Sequence, residues 1–340
     1  MAGVSSPAMA AAVSNGGGLG SIGIGATDAA GARAMIDAVR VRSRGPLNVN
    51  LFCHAPARSD AAVEQAWLEH LRPQFAQFGA APPVALQEIY RSFVEGTDVR
   101  DLLLAAKPTV VSFHFGLPSA ETIRLLRAAG ISVLASATSL REACIAENAG
   151  VDAVVAQGYE AGGHRGSFDP DSLDDRLGTM ALTRVLVRQL KIPVIAAGGI
   201  MDGAGIAAAL QLGASAAQLG TAFIACTESQ ADAGFRAALK SDAAHHTVMT
   251  RAISGRPARC LTNRFTMLGA GIAATRIPCY PIAYDAGKAL NAAAKAVGEW
   301  GYGAHWAGQG APLARELPAA DLMAILAQEL SSGAPAPTRR

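Results

Sequence analysis

What this 340-residue chain lacks removes several classes at once. No run of eighteen apolar residues is available to cross a membrane. The five cysteines, Cys53, Cys144, Cys226, Cys260 and Cys279, are odd in number, far apart and without a Cys-x-x-Cys pair. That set argues against a disulfide framework or a zinc site and fits free thiols in a reducing cytosol. Charge is sparse: 16% of residues are charged, the net charge is +2, and no Lys/Arg run forms a basic stripe, so nothing marks a nucleic-acid surface. The first twenty residues have neither a basic n-region nor a sustained apolar h-region, and Gly16 to Gly18 interrupt them, which excludes a secretory signal. What is present, 51% hydrophobic residues, belongs to a compact α/β protein. The expectation is a soluble, cytoplasmic protein with a small-molecule partner, no metal, no membrane and no nucleic acid; a homo-oligomer is compatible with it.

The segment 192–221, IPVIAAGGIMDGAGIAAALQLGASAAQLGT, says most about the architecture. It reads strand, Gly-Gly turn, Ala-rich helix, strand, Gly-Thr turn. Gly198 and Gly199 can take positive φ and bring backbone N–H groups close to a ligand, and Gly220 with Thr221 repeats the device one strand later. In a (βα)8 barrel the last two βα loops often hold a phosphate this way. Two ordinary glycine turns are the alternative.

Seven short apolar runs, at 21–24, 47–51, 109–113, 131–135, 152–156, 193–197 and 215–219, alternate with helical segments such as 119–129, 139–149 and 179–189. Alternating β and α implies a parallel sheet. The expected fold is a (βα)8 TIM barrel, one domain over 1–330, with strand 1 missing because Ser6-Pro7 already has the form of a helix start. Either an upstream stretch was lost through a wrongly chosen start or the barrel is open; the expectation takes the former. An insertion at about 55–108 should hold a polar helix near 61–78, a Pro82-Pro83 break and a second helix after Val84, packed near the barrel mouth. Beyond strand 8 the pattern predicts helix at 227–239, irregular chain at 243–275, helix at 281–297 and a disordered tail at 331–340.

The loop QGYEAGGHRG (157–166) sets His164 among glycines directly after a strand end, where catalytic residues of barrels sit. A hydrogen-bonded structural histidine is the alternative. Tyr280, Tyr284 and Lys288, spaced four apart with Pro281 at the helix start, would present two phenols and an ammonium along one stripe, suiting an anionic substrate; a solvated face is the alternative. His245-His246 lack supporting metal ligands, Cys226 and Glu228 read as structural, and the glycine run at 16–25 precedes a strand, so a dinucleotide fingerprint does not fit. The segment from His305 to Gln309 reads as packing against the barrel mouth.

Taken together, NVN (48–50), SFHFG (112–116), QGYEAGGHRG (157–166), IPVIAAGGI (192–200) and QLGTAF (218–223) resemble the nitronate monooxygenases, in order and over nearly the whole chain. That resemblance implies a (βα)8 barrel holding FMN at its C-terminal mouth, without a metal, and oxidising alkyl nitronates with O2 to a carbonyl compound and nitrite. It implies His164 as the active-site histidine, accepting a substrate proton or holding nitronate oxygens. Gly198, Gly199, Gly220 and Thr221 would hold the FMN phosphate; Gln157, Gly162 and Gln218 would touch the flavin. Asn50 would contact the isoalloxazine ring, and the backbone of Met1 would lie near it. Tyr90, His114, Tyr280, Tyr284 and Lys288 are similar to the substrate pocket of the bacterial class I members, which handle propionate 3-nitronate. An FMN-dependent NAD(P)H:quinone reductase, an enoyl reductase on the same fold, and a phosphate-ligand-binding barrel without flavin are the rivals.

Overall fold

The computed structural model describes residues 3–332. In chain order the elements are α1 (Pro7–Asn15), β1 (Gly20–Gly23), α2 (Ala29–Arg40), β2 (Leu47–Phe52), α3 (Ala61–Gln77), α4 (Asp98–Ala106), β3 (Val110–His114), α5 (Ala120–Ala128), β4 (Ser132–Ala137), α6 (Leu140–Asn148) and β5 (Ala153–Gln157). There follow β6 (Gly163–His164), α7 (Thr179–Gln189), β7 (Val194–Ala197), α8 (Gly203–Gln211), β8 (Ala216–Gln218), α9 (Ala233–Leu239), β9 (Thr247–Thr250), β10 (Ala258–Leu261), α10 (Arg264–Leu268), α11 (Ile282–Ala296) and α12 (Ala319–Ser332). Side-chain caps start many of the helices: Ser6 accepts from Met9 N at 3.0 Å, and Asp28, Ser119, Ser139 and Asp202 do the same for their own helices.

Seven parallel strands form one sheet in the order β1-β2-β3-β4-β5-β7-β8, curled into a half-barrel with helices around it. This is the TIM-barrel-like α/β architecture that the alternating pattern predicts, with no pairing of β8 to β1 among the described residues. Side chains alternate across each strand. Ile22, Val49, Leu51, Val111, Phe113, Val133, Val154 and Ala156 point outward and pack with Ile36, Leu103, Ile123, Leu126, Leu182 and Leu186 of the helices. The inner face is apolar low down, at Val110, Leu134, Ala153 and Ile195, and polar toward the C-terminal strand ends.

A second sheet, β6-β10-β9, is antiparallel and sits beside the barrel mouth. The chain expected to be irregular at 243–275 therefore contains a hairpin and α10; four-residue strands are too short to show a period. Two other expectations are corrected. Asp232 caps a helix by accepting from Phe235 N at 2.8 Å, so the predicted helix at 227–239 shrinks to α9. No helix forms directly after Val84; the chain runs irregularly to a short 3-10 turn, Phe93–Glu95, capped by Ser92. The helix of the insertion, α3, buries Trp67, Leu68, Leu71 and Phe75 in a core shared with Phe265 of α10 and Ala283, Ala286 and Leu290 of α11, so its one apolar stripe docks it near the mouth.

At the other end, α12 packs on α8 and on α1. Glu329 accepts from Gly203 N at 2.9 Å and pairs with Arg315, which donates to Met201 O at 3.1 Å. A Cβ on Gly203 would lie 2.3 Å from Glu329 Cβ, so helix meets helix at backbone distance there. The helix runs to Ser332, two residues into the segment expected as a tail; residues 333–340 lie outside the described residues.

Candidate active site

The polar upper half of the inner face opens into a cleft lined by Ser21, Asn48, Asn50, Phe52, Ser112, His114, Ser136, Gln157, Ala197 and Gln218 from the strands. Neighbouring strands hold these groups in register, Asn50 beside Ser112 and Phe52 beside His114. Asn48 Nδ2 donates to Ser21 Oγ at 2.8 Å and to Ser112 Oγ at 3.0 Å, and Ser112 Oγ donates to Asn50 Oδ1 at 2.9 Å. The relay fixes both amides, and Asn48 Oδ1 is left buried without a partner. An orphaned acceptor in a protein core asks for a ligand donor.

One rim of the cleft is Gly198-Gly199, at φ +122° and +69°. A Cβ on Gly198 would lie 2.7 Å from Thr179 Oγ1, whereas one on Gly199 would meet Glu160 Cβ at 3.4 Å. Gly220 is a different device from the one expected. Its φ is −118°, it leads into the 3-10 turn Thr221–Phe223, and nothing lies within 4 Å of where its Cβ would be. Space, not a left-handed backbone, is what Gly220 contributes. Thr221 Oγ1 accepts from Gly308 N at 2.9 Å, which leaves its own proton to donate. Gly162 also lines the cleft, and its Cβ would lie 2.3 Å from Gly308 N; the loop after β5 and the segment at 305–309 cross backbone to backbone.

His164 is braced from several sides. It stands opposite Ala258 in the β6–β10 ladder, and Arg165 N donates to Pro257 O at 2.8 Å. Gln157 brackets the same stretch, donating to His164 O at 3.0 Å and accepting from Gly166 N at 2.7 Å. One N–H and one lone pair of its amide are thereby used, and one of each is left over at the cleft wall. His114 Nε2 lies 3.3 Å from His164 O and its Nδ1 2.9 Å from Ser136 Oγ. A carbonyl only accepts, so the proton of His114 is on Nε2 and Nδ1 accepts from Ser136. The His164 ring itself places Nε2 2.8 Å from Ser254 Oγ, in the turn of the β9–β10 hairpin.

Aromatic rings complete the wall. From His164 the ring centres of Trp306, Tyr280, Phe115 and Tyr284 lie at 5.1, 5.2, 5.6 and 6.2 Å. Tyr90, carried by the irregular part of the insertion, joins them 5.8 Å from Tyr284. The expected stripe is only partly formed: Tyr280 precedes α11, and Lys288 does not line the cleft. Its Nζ lies over the rings of Tyr90 and Tyr284, at 4.7 and 5.5 Å, behind the wall.

Burial, then the charge of Arg256, push His164 well below its ordinary 6.5 and bring His54 and His114 to about 4. Burial raises Tyr280 and Tyr284 far above 10 and Tyr90 to about 12. Near pH 7 the wall therefore holds three neutral imidazoles and three protonated phenols. Tyr280 Oη is buried and has no partner.

Ser254, Arg256, His54 and Phe115 were not identified from sequence. His54 is buried edge-on to Tyr280 at 5.0 Å, and its ring nitrogens make no well-formed hydrogen bond, the Tyr90 backbone being the polar group nearby. The left-handed φ of Phe115, +74°, carries no side-chain signature. Met1 lies outside the described residues. Glu228 accepts from Ala319 N at 2.9 and 3.1 Å and so caps α12, while Cys226 is buried. Among the described residues no cluster of three or more His, Cys, Asp or Glu is placed to hold a metal ion, and no helix is long and apolar enough to cross a membrane.

A half-barrel with a polar floor, a glycine rim and a neutral histidine at its C-terminal strand ends is the layout of a (βα)-barrel enzyme. The nitronate monooxygenase family matches residues 1–329. Nitronate monooxygenases from Paraburkholderia phytofirmans and Pseudomonas aeruginosa are 63% and 55% identical over 330 residues, covering 97% of this chain and 90% and 94% of theirs. Among solved structures, nitroalkane oxidase from Streptomyces ansochromogenes superposes with a TM-score of 0.87 at 39% identity, covering 97% of this chain and 93% of that one. FabK from Thermotoga maritima gives 0.72 at 29% identity, over 97% and 90%. The chain belongs to the nitronate monooxygenase family and is an oxidoreductase acting on nitronates or nitroalkanes.

Proposed function

We propose that the chain oxidises alkyl nitronates, with propionate 3-nitronate as the first candidate, using FMN and O2 and giving a carbonyl compound and nitrite. The residues present fit FMN. Gly198 and Gly199 expose backbone at one end of the cleft, beside the Thr221 hydroxyl, as a phosphate requires. The uncharged floor of Asn48, Asn50 and Ser112, with its orphaned Asn48 Oδ1, suits the edge of a polar heteroaromatic ring. Bound there, FMN would supply the electron transfer between nitronate and dioxygen.

The observation that carries the preference for a nitronate is the His164 ring at the cleft wall, with the unpartnered Tyr280 hydroxyl and the Tyr284 ring beside it, and no carboxylate among the described lining residues. A nitronate has already lost its α-proton, so the chain has only to hold negative oxygens. Tyr280 Oη can do so by donating, and the imidazole by donating from Nδ1 when Ser254 gives its proton to Nε2. A neutral nitroalkane needs a base, and an imidazole pushed well below 6.5 is a weak one. The test is nitrite release from propionate 3-nitronate and from nitroethane, beside anaerobic reduction by NADH. Nitrite from the nitronate in excess over nitroethane is expected. No nitrite from either, with rapid bleaching of the flavin by NADH, would replace this reading with an NAD(P)H:quinone reductase.

A further inference from the structure

Arg256 is a buried cation outside the lining of the cleft. It is 3% exposed, forms no ion pair among the described residues, and its Nε has no hydrogen-bond partner. One bond is recorded, from Nη2 to the carbonyl of Ser167. A buried cation without a paired carboxylate is costly to keep. Its guanidinium lies 4.2 Å from the centre of the Phe115 ring. Phe115, held at φ +74°, is a strained residue whose ring also lies 4.4 Å from His114, 5.5 Å from Tyr280 and 5.6 Å from His164. Strain and an uncompensated charge meeting at one point beside a cleft point to function.

We propose that Arg256 is a positioning residue for substrate charge: acting through the Phe115 ring, without touching the cleft, it supplies the positive field that makes this site select a planar oxyanion. This rests on the nitronate reading and deepens it, by naming what distinguishes the anion from its neutral acid. The local geometry supports a built feature. Gly255, at φ +88°, lets the hairpin turn come so close to α11's approach that a Cβ there would lie 2.4 Å from Pro278 O and 2.6 Å from Tyr280 N. The same turn carries Ser254 to His164, so one loop sets both the imidazole and the cation.

The groups facing Arg256 are Tyr280, Arg251, Glu142, Asp169 and the three histidines. The Glu142 carboxylate is occupied by Thr138 N, Thr138 Oγ1 and Phe168 N, each at 2.7 Å, and Asp169 is exposed. Burial lowers Arg256 to about 10, which leaves it charged at neutral pH. Its field also keeps the imidazoles unprotonated, so the positive potential comes from a group that does not titrate in the working range.

The test uses nitrate, a planar oxyanion, as probe. Its Kd is measured by calorimetry at fixed ionic strength for the wild type, Arg256→Met and Arg256→Lys, with thermal melts beside it. Arg256→Met should bind nitrate on the order of ten- to thirty-fold more weakly, Arg256→Lys should stay within about three-fold of wild type, and in Arg256→Met the pH profile of nitrate binding should gain a histidine ionisation shifted upward. An Arg256→Met protein that melts like the wild type and binds nitrate equally well would overturn the proposal. If neither variant folds, the wild type decides: nitrate binding no tighter than neutral nitromethane also overturns it. Arg256-dependent nitrate binding without nitrite release from any nitronate would instead leave this inference standing and sink the nitronate reading.

Discussion

His164 and Gly199 carry different kinds of information, one about charge and one about shape. Because the imidazole is already neutral at pH 6.5, nitrite release from a preformed nitronate should show no histidine ionisation between about pH 6.5 and 9. A bell centred near 6.5 in kcat/KM would contradict the buried, cation-flanked environment. His164→Asn should lower turnover of neutral nitroethane more than that of the preformed nitronate, because only the nitroalkane needs a base. The loss should be less than the roughly 100-fold of a base with pKa near the working pH. Comparable losses on both substrates would mean that the ring mainly organises the wall. Gly199 is the roomier of the two rim glycines, since its Cβ would meet only Glu160 whereas a Cβ on Gly198 would collide with Thr179. Its φ of +69° strains any side chain, so flavin content is read beside a thermal melt. Gly199→Val should give a folded protein with little or no flavin absorbance in the visible spectrum. Full flavin content in that variant would remove Gly199 from the cofactor site.

At the scale of elements, the β9–β10 hairpin shows where reading the sequence stopped. The barrel strands could be read because they are short apolar runs set between helical segments, some followed at once by a glycine turn, as Ala197 is by Gly198 and Gly199. His164, Tyr280 and Tyr284 stood out through local spacing and resemblance. Ser254 and Arg256 did not, because their roles exist only through space: Ser254 meets a histidine 90 residues earlier in the chain, and the strands that bring it there are four residues long. Lys288 illustrates the reverse. Its spacing from Tyr284 was right for one helix face, yet spacing could not tell the lining of a cleft from a layer behind it. The hairpin's seat is a single glycine. Gly255→Ala should lower stability by more than about 1 kcal/mol, because it adds both left-handed strain and a backbone collision, and should reduce nitrite release beyond what the lost stability explains. Wild-type activity with only a small drop in Tm would show that the turn does not set His164.

For the molecule as a whole, three histidines held neutral, His54 buried and His114 and His164 half-buried at the cleft wall, imply an acid-sensitive fold. Unfolded, each titrates near 6.5; folded, His54 and His114 titrate at about 4 and His164 lower than 6.5. Between those values the unfolded chain takes up protons that the folded chain refuses, so stability is complete above about pH 6.5 and is lost as pH falls toward 4. The slope is at most about 1.4 kcal/mol per pH unit for each imidazole. Melting temperatures from pH 7.5 to 4.5 should therefore decline steadily before carboxylates begin to protonate; a flat profile down to 4.5 would contradict the burial. The grip of α12 on α8 and α1 bears on how the molecule comes into being. Its Glu329 secures the helix that follows the glycine rim, and its Met323 lies where a Cβ on Gly16 or Gly18 would fall, at 2.9 Å. During synthesis the strands emerge long before this helix does. Until residues 319–332 have been made and docked on α8 and α1, the half-barrel holds its rim without this clasp, so the cleft is completed by an element made after its own strands.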